Sequence, residues 1–142
     1  MAAQEFKNHV RYHPLYHYIA SPLITGGLIW ALIRLFNAEP GDFQQSLVNT
    51  LLFIIVFILG VLVRTYALKA QDRAIRAEES LRHFMLTGKP LDNRLRIGQI
   101  VALRFASDEE FPELARQAVD RSMTGKQIKE SIQQWRADHY RV

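Results

Sequence analysis

The sequence predicts an all-α membrane protein. We expect a two-helix transmembrane hairpin, a second helix that extends into the cytoplasm, and short tail helices after it. Two apolar runs lack any charged residue, one from Tyr12 to Ile33 and one between Asp42 and Arg64. The charged residues gather after them, and no strand pattern appears. Because hydrocarbon cannot hydrogen-bond the backbone, apolar runs of this length should be helical.

The first span is predicted at about residues 14–36. Pro14 suits the first position of a helix, whereas Pro22 removes a backbone donor and should kink the span. Gly27 and Ala31 are small residues four positions apart, a spacing that lets another helix approach closely. A re-entrant or tilted interfacial segment is the alternative.

The second span is predicted at residues 47–66, a length of about 30 Å as a helix. No Gly or Pro occurs from Tyr66 to Leu86, so the helix should continue through residues 67–87. Gly88 and Pro90 then supply a stop. The expected divisions are a hairpin at 1–66, a helical extension at 67–87 and a tail at 88–142.

The loop from Asn37 to Ser46 contains two acids and no Lys or Arg. Basic residues instead precede the first span and follow the second. The positive-inside rule therefore places both termini in the cytoplasm and the loop outside.

The tail reads as a set of short helices. Arg96 to Ala106 has a broad apolar side, and Thr124 with Gln127 forms a capping box that starts a last helix. In that last helix Ile128, Ile132 and Trp135 follow spacings of four and three, so they should share one buried face.

A seam of alternating spacings of four and three runs along the second helix. It consists of Asn49, Phe53, Val56, Gly60, Val63, Ala67, Ala70, Ala74, Ala77, Leu81 and Phe84. Small residues on a heptad seam allow close helix packing, either within the chain or between subunits. Asn49 would supply an interhelical hydrogen bond or, in an oligomer, a polar ring that lines a small pore.

His9, His13 and His17 stand four residues apart, as metal ligands on one helix face would. Pro14 argues against a helix that continues back through His9, and no carboxylate lies at a motif spacing. The sequence therefore predicts interfacial histidines, no metal site and no cofactor.

The sequence gives little support for catalysis or for nucleic-acid binding. The chain has no Cys, and no hydrolase, metalloprotease or dinucleotide-binding motif occurs. Helix capping is sufficient to explain Asp108, Glu109 and Glu110, because acids stabilise the first turn of a helix. The net charge of +4 is modest, and acids are interspersed with the basic residues. We expect neither an enzyme nor a nucleic-acid partner.

Four stretches carry a family resemblance: KNHVRYHPLYH, QDRAIRAEESLR, QIVALRFASDEE and IKESIQQWRADHYRV. In them the chain resembles a family of small bacterial membrane proteins known as a domain of unknown function. The resemblance implies a multi-pass protein of the bacterial inner (cytoplasmic) membrane with paired spans and a helical cytoplasmic tail. It supplies no activity and no functional residue.

Two functional hypotheses follow. The first is a membrane-anchored interaction or scaffold module that self-associates, with the lipid bilayer and further copies of itself as partners. The alternative is an oligomeric ion channel or transporter component in which the second helix lines the pathway.

Overall fold

A computed structural model describes residues 13–137, and this part of the chain is all-helical. It contains a short π-helical segment and five α-helices. These are the π-helical Leu15–Ala20, α1 (Ser21–Phe36), α2 (Phe43–Thr87), α3 (Ile97–Leu103), α4 (Phe111–Asp120) and α5 (Gly125–Ser131). The described residues fall into two compact units, divided between Leu68 and Lys69.

In the first unit, the stretch predicted as the first span is helical from Leu15 to Phe36. Just before Pro22, where the sequence predicted a kink, the segment Leu15–Ala20 is π-helical, and the Ser21 N–H donates to the Tyr16 carbonyl. Pro22 is the second residue of α1 and has no N–H to offer the preceding turn. A change from π-helical to α-helical hydrogen bonding accommodates this missing donor.

Small side chains and one hydroxyl join α1 to α2. A Cβ added at Gly27 would collide with the ring of Phe53, so only glycine permits this approach as it stands. Ala31 is buried, and its carbonyl accepts a hydrogen bond of 3.2 Å from the Thr50 hydroxyl. The expected small-residue contact of Gly27 and Ala31 is therefore made with α2.

The two helices of this unit are long and apolar enough to cross a membrane. Leu15–Phe36 has a mean hydropathy of 1.7, and α2 reaches 2.8. Most large apolar side chains of both are exposed in the single chain. Length and composition thus agree with the two expected spans.

The second unit combines the end of α2 with the three tail helices. Its buried core contains Ile75, Leu95, Ile100, Ala102, Leu103, Ala106, Phe111, Leu114, Ala115, Ala118 and Ile128. Ile75 is the contribution of α2, which continues without a break to Thr87. The core thus includes part of the long helix as well as the tail.

A half-buried arginine of α2 ties this core together. The guanidinium of Arg82 donates to the carboxylates of Glu79 at 3.0 Å and Asp108 at 2.7 Å, and to the carbonyl of Ala106 at 2.8 Å. It also lies 4.6 Å from the centroid of the buried Phe111 ring. Because these partners come from α2, from α4 and from the segment before α4, Arg82 fixes the tail against the helix.

The acidic run before α4 makes tertiary contacts, whereas the sequence suggested only helix capping. Asp108 pairs with Arg82, and the Glu110 carboxylate accepts the backbone N–H groups of Gln133 at 3.2 Å and Gln134 at 3.1 Å. Only the Ser107 hydroxyl acts in a local turn, where it accepts the Glu110 N–H at 3.4 Å. The acids therefore connect the start of α4 to α2 and to the segment that follows α5.

Helices α3 and α5 approach closely at two glycines. A Cβ added at Gly125 would lie 2.9 Å from the carbonyl oxygen of Gly98, a backbone atom that cannot rotate away. Beside this contact Gln99 donates to the carbonyls of Ala118 at 3.2 Å and Met123 at 2.8 Å. The buried amide thus links α3 to the end of α4 and the turn that follows.

The predicted last helix is too long. The Thr124–Gln127 capping box is confirmed, because the Thr124 side chain accepts the Gln127 N–H and the Gln127 side chain accepts the Thr124 N–H. However, α5 ends at Ser131, and Ile132 is extended. Trp135 instead forms an isolated antiparallel bridge with Ala106, and its ring stacks on Phe105 at a centroid distance of 4.6 Å.

Candidate functional site

The alanine seam is the surface on which a function was expected. In the structure Ala67, Ala70, Ala74 and Ala77 are exposed, whereas Gly60 is half-buried. A Cβ added at Gly60 would meet the Ile24 side chain of α1 at 3.6 Å. The seam is therefore partly covered by α1 near Gly60 and is open along its alanines.

Asn49 begins the seam and is exposed. Its side-chain oxygen accepts a hydrogen bond of 3.0 Å from Gln45, one turn earlier on the same helix. Within the chain, the interhelical hydrogen bond expected of Asn49 is made by its neighbour Thr50. Asn49 and Gln45 thus form an exposed polar pair at the start of an apolar helix.

At its other end the seam passes into large apolar side chains. Leu81 is 61% exposed and Phe84 54% exposed, and Met85 beside them is 76% exposed. On the same stretch of helix Ile75 and Glu79 are buried. The face of α2 that carries the seam is therefore separate from the face that packs on the tail helices.

The prediction for the three histidines can be compared with the structure only in part, because His9 lies outside the described residues. The His13 ring nitrogen lies 3.4 Å from the Tyr16 N–H, and the His17 ring nitrogen lies 3.0 Å from the His13 carbonyl. Both rings thus contact the backbone of the first helical turn. Within residues 13–137 no group of three His, Asp or Glu side chains is placed to hold a metal ion.

Two carboxyls of the tail, of exposed Glu113 and half-buried Asp92, have shifted pKa values. The Arg116 side chain donates to Glu113 and lowers the pKa of that carboxyl to about 2, with a smaller contribution from Gln117. Hydrogen bonds from Arg94 likewise lower the pKa of Asp92. Both shifts favour the ionised carboxylate that pairs with an arginine on the same surface.

Sequence reasoning missed the buried polar residues that organise the tail. Among them is Arg82, which the structure pairs with Glu79 and Asp108. The three-residue spacing of Glu79 and Arg82 is a usable signal, but the contact with Asp108 joins residues 26 positions apart. No local sequence pattern predicts a contact between residues so far apart in the chain.

Comparison with known proteins adds a family but no activity. One family model matches the whole chain, residues 1–142, and the family is of unknown function. No curated protein matches the chain, and no solved structure does.

Proposed function

We propose that this chain, which belongs to the family of unknown function DUF6526, is a membrane-anchored interaction or scaffold module that associates with further copies of itself. In this proposal it is a multi-pass protein of the bacterial inner membrane with both termini in the cytoplasm. It takes no cofactor and no nucleic acid, and it catalyses no reaction.

The exposed apolar surface of the hairpin supports the membrane anchor. Large side chains such as Leu23, Trp30, Leu52 and Leu59 are more than half exposed in the single chain. Each such side chain gains roughly 1.5–3 kcal/mol when it leaves water. A bilayer removes all of them from water at once, because the apolar part of each helix is long enough to cross its hydrocarbon core.

The exposed end of the seam is the observation that carries self-association. Leu81 and Phe84 lie beyond the predicted span, where lipid does not cover them, and they continue the line of Ala70, Ala74 and Ala77. Contiguous apolar surface of this kind marks an interaction site. A second copy presents the same seam, and a two-fold axis brings the two together with their small residues in contact.

Subunit number in detergent and in lipid tests this proposal. Ala74→Leu adds bulk at the middle of the seam, so it should hold the helices apart and reduce self-association measured by native mass spectrometry and light scattering. Lys126→Leu places the same apolar side chain at an exposed site of α5 and should leave subunit number unchanged. A monomeric native protein, or an Ala74→Leu variant with the native subunit number, contradicts the proposal.

A channel or transporter component is the second candidate, and one observation favours it. Gln45 and Asn49 are exposed polar side chains on the seam side of an apolar helix. In an oligomer they form a polar ring that water or ions can follow. Ion flux is measured in liposomes that contain the protein. Flux that is present in the native protein and lost in the Asn49→Leu variant supports this candidate. Oligomers that show no flux contradict it.

A further inference from the structure

A basic pocket lies on α2 immediately after its apolar part. Lys69, Arg73 and Arg76 recur at spacings of four and three, so they share one face of the helix. Together with Asp72 and with Ile97 at the start of α3, they line a cavity of about 370 Å³. The cavity thus combines three cationic side chains with one carboxylate and one apolar wall.

The two arginines of this pocket are available to a ligand. Their side chains are exposed, while the acid of the pocket, Asp72, is half-buried. The arginine ion pairs formed among residues 13–137 belong to Arg82, Arg94, Arg116 and Arg136. Arg73 and Arg76 take no part in them.

The position of the three cations along α2 indicates the source of the anion. Lys69 stands three residues after Tyr66, the end of the predicted span, and Arg76 stands ten residues after it. These offsets correspond to roughly 5 and 15 Å along a helix axis. Lys69 therefore falls at headgroup depth, and the long side chains of Arg73 and Arg76 reach back toward it.

We infer that this pocket binds a phosphate group, and that in the cell the group belongs to an anionic lipid headgroup of the cytoplasmic leaflet. Arginine pairs offer planar donors that fit phosphate oxygens in a bidentate manner. Basic pockets beside membrane spans hold lipid phosphates in this way. The phosphate chemistry follows from the pocket itself, while the lipid source rests on the membrane anchor proposed above.

The test compares two variants with the same loss of charge. In Lys69→Gln/Arg73→Gln/Arg76→Gln the pocket loses its three cations. In Lys89→Gln/Arg121→Gln/Lys126→Gln three exposed cations of the same unit are lost outside the pocket. Full-length proteins are placed in vesicles of phosphatidylcholine alone or with phosphatidylglycerol, and bound phosphatidylglycerol is counted by mass spectrometry. Inorganic phosphate, titrated in phosphatidylcholine vesicles, is the second arm.

The expected result is saturable binding of phosphatidylglycerol that salt weakens. Each cation near an anionic surface contributes roughly fivefold, so the pocket variant should bind at least tenfold more weakly while the control variant matches the native protein. If inorganic phosphate binds as tightly as the lipid and the pocket variant loses both, the phosphate site stands and its lipid source is rejected. Equal lipid and phosphate binding by the two variants overturns the inference.

The same samples separate this inference from the proposed function. A protein that fails to float with phosphatidylcholine vesicles lacks the membrane anchor, whatever its pocket binds. A protein that floats with them but shows no preference for phosphatidylglycerol and no phosphate binding has the anchor without the site.

Discussion

One guanidinium, that of Arg82, contacts its own helix α2, the segment before α4 and α4 itself. Its neighbour Glu79 is buried, so loss of the arginine leaves a carboxylate in the core without its cation. Arg82→Ala should therefore lower the free energy of unfolding of the tail by about 3 kcal/mol. Urea denaturation followed by Trp135 fluorescence, in a Trp30→Phe background, measures the change.

Arg121→Ala is the control for this prediction, because Arg121 is exposed and its removal should cost less than about 0.5 kcal/mol. Equal stability of Arg82→Ala and the control would show that Glu79 is stabilised by another group when Arg82 is absent.

A second residue-scale prediction concerns the charge of Glu113. Its pKa is lowered from 4.5 to about 2, so its pairing with Arg116 is complete above about pH 4.5 and is lost as the pH falls through 2. Arg116→Ala should return the pKa of Glu113 close to 4.5, whereas Arg121→Ala should change it little. NMR titration of the Glu113 carboxyl carbon measures this pKa in both variants. A low pKa that remains in Arg116→Ala would assign the shift to another group.

At the scale of elements, the packing of α3 on α5 depends on one glycine of a pair. Gly125→Ala places a methyl group 2.9 Å from the Gly98 carbonyl oxygen and should destabilise the tail by about 1–3 kcal/mol. Gly98→Ala meets nothing within 4 Å and should stabilise the tail slightly, by about 0.5 kcal/mol, through helix propensity. The same urea assay compares them, and similar effects of both changes would mean that the helices separate at little cost.

Local patterns predicted which elements form better than where the last one ends. The capping box at Thr124 is a contact over three residues, and the sequence shows it directly. The end of α5 depends on distant partners, since Ser107 donates to the Gln134 carbonyl and Arg136 donates to the Phe105 carbonyl. The spacing of the apolar residues after Thr124 is equally compatible with a longer helix, so periodicity alone could not find the stop.

The sequence likewise predicted only part of the candidate site. The regular spacing of the seam places its alanines on one line, and the structure shows that line exposed. Inside the apolar run, however, almost every residue fits a helix–helix contact, so the sequence could not tell Asn49 from Thr50 as the residue that faces α1. Successive positions differ by about 100° around a helix, and only the packed hairpin fixes that angle.

At the scale of the whole molecule, the testable expectation is topology. The chain has no Cys, so single cysteines report position without background. A cysteine at Gly41, in the loop without Lys or Arg, should react with an impermeant maleimide added to intact cells, because the positive-inside rule places that loop outside. A cysteine at Lys126 should react only after the membrane is disrupted, and the reverse pattern would invert the topology.

The long second helix also bears on how such a protein can be rearranged in evolution. Ile75, Glu79 and Arg82 belong to α2, yet they complete the interior of the unit that follows it. A recombination event that joined residues from Gly88 onward to a different anchor would remove Arg82 from its contacts with Phe111 and Asp108. The unit that can be transferred intact therefore starts near Lys69. A gene fusion that includes this tail must also include about five turns of the preceding helix.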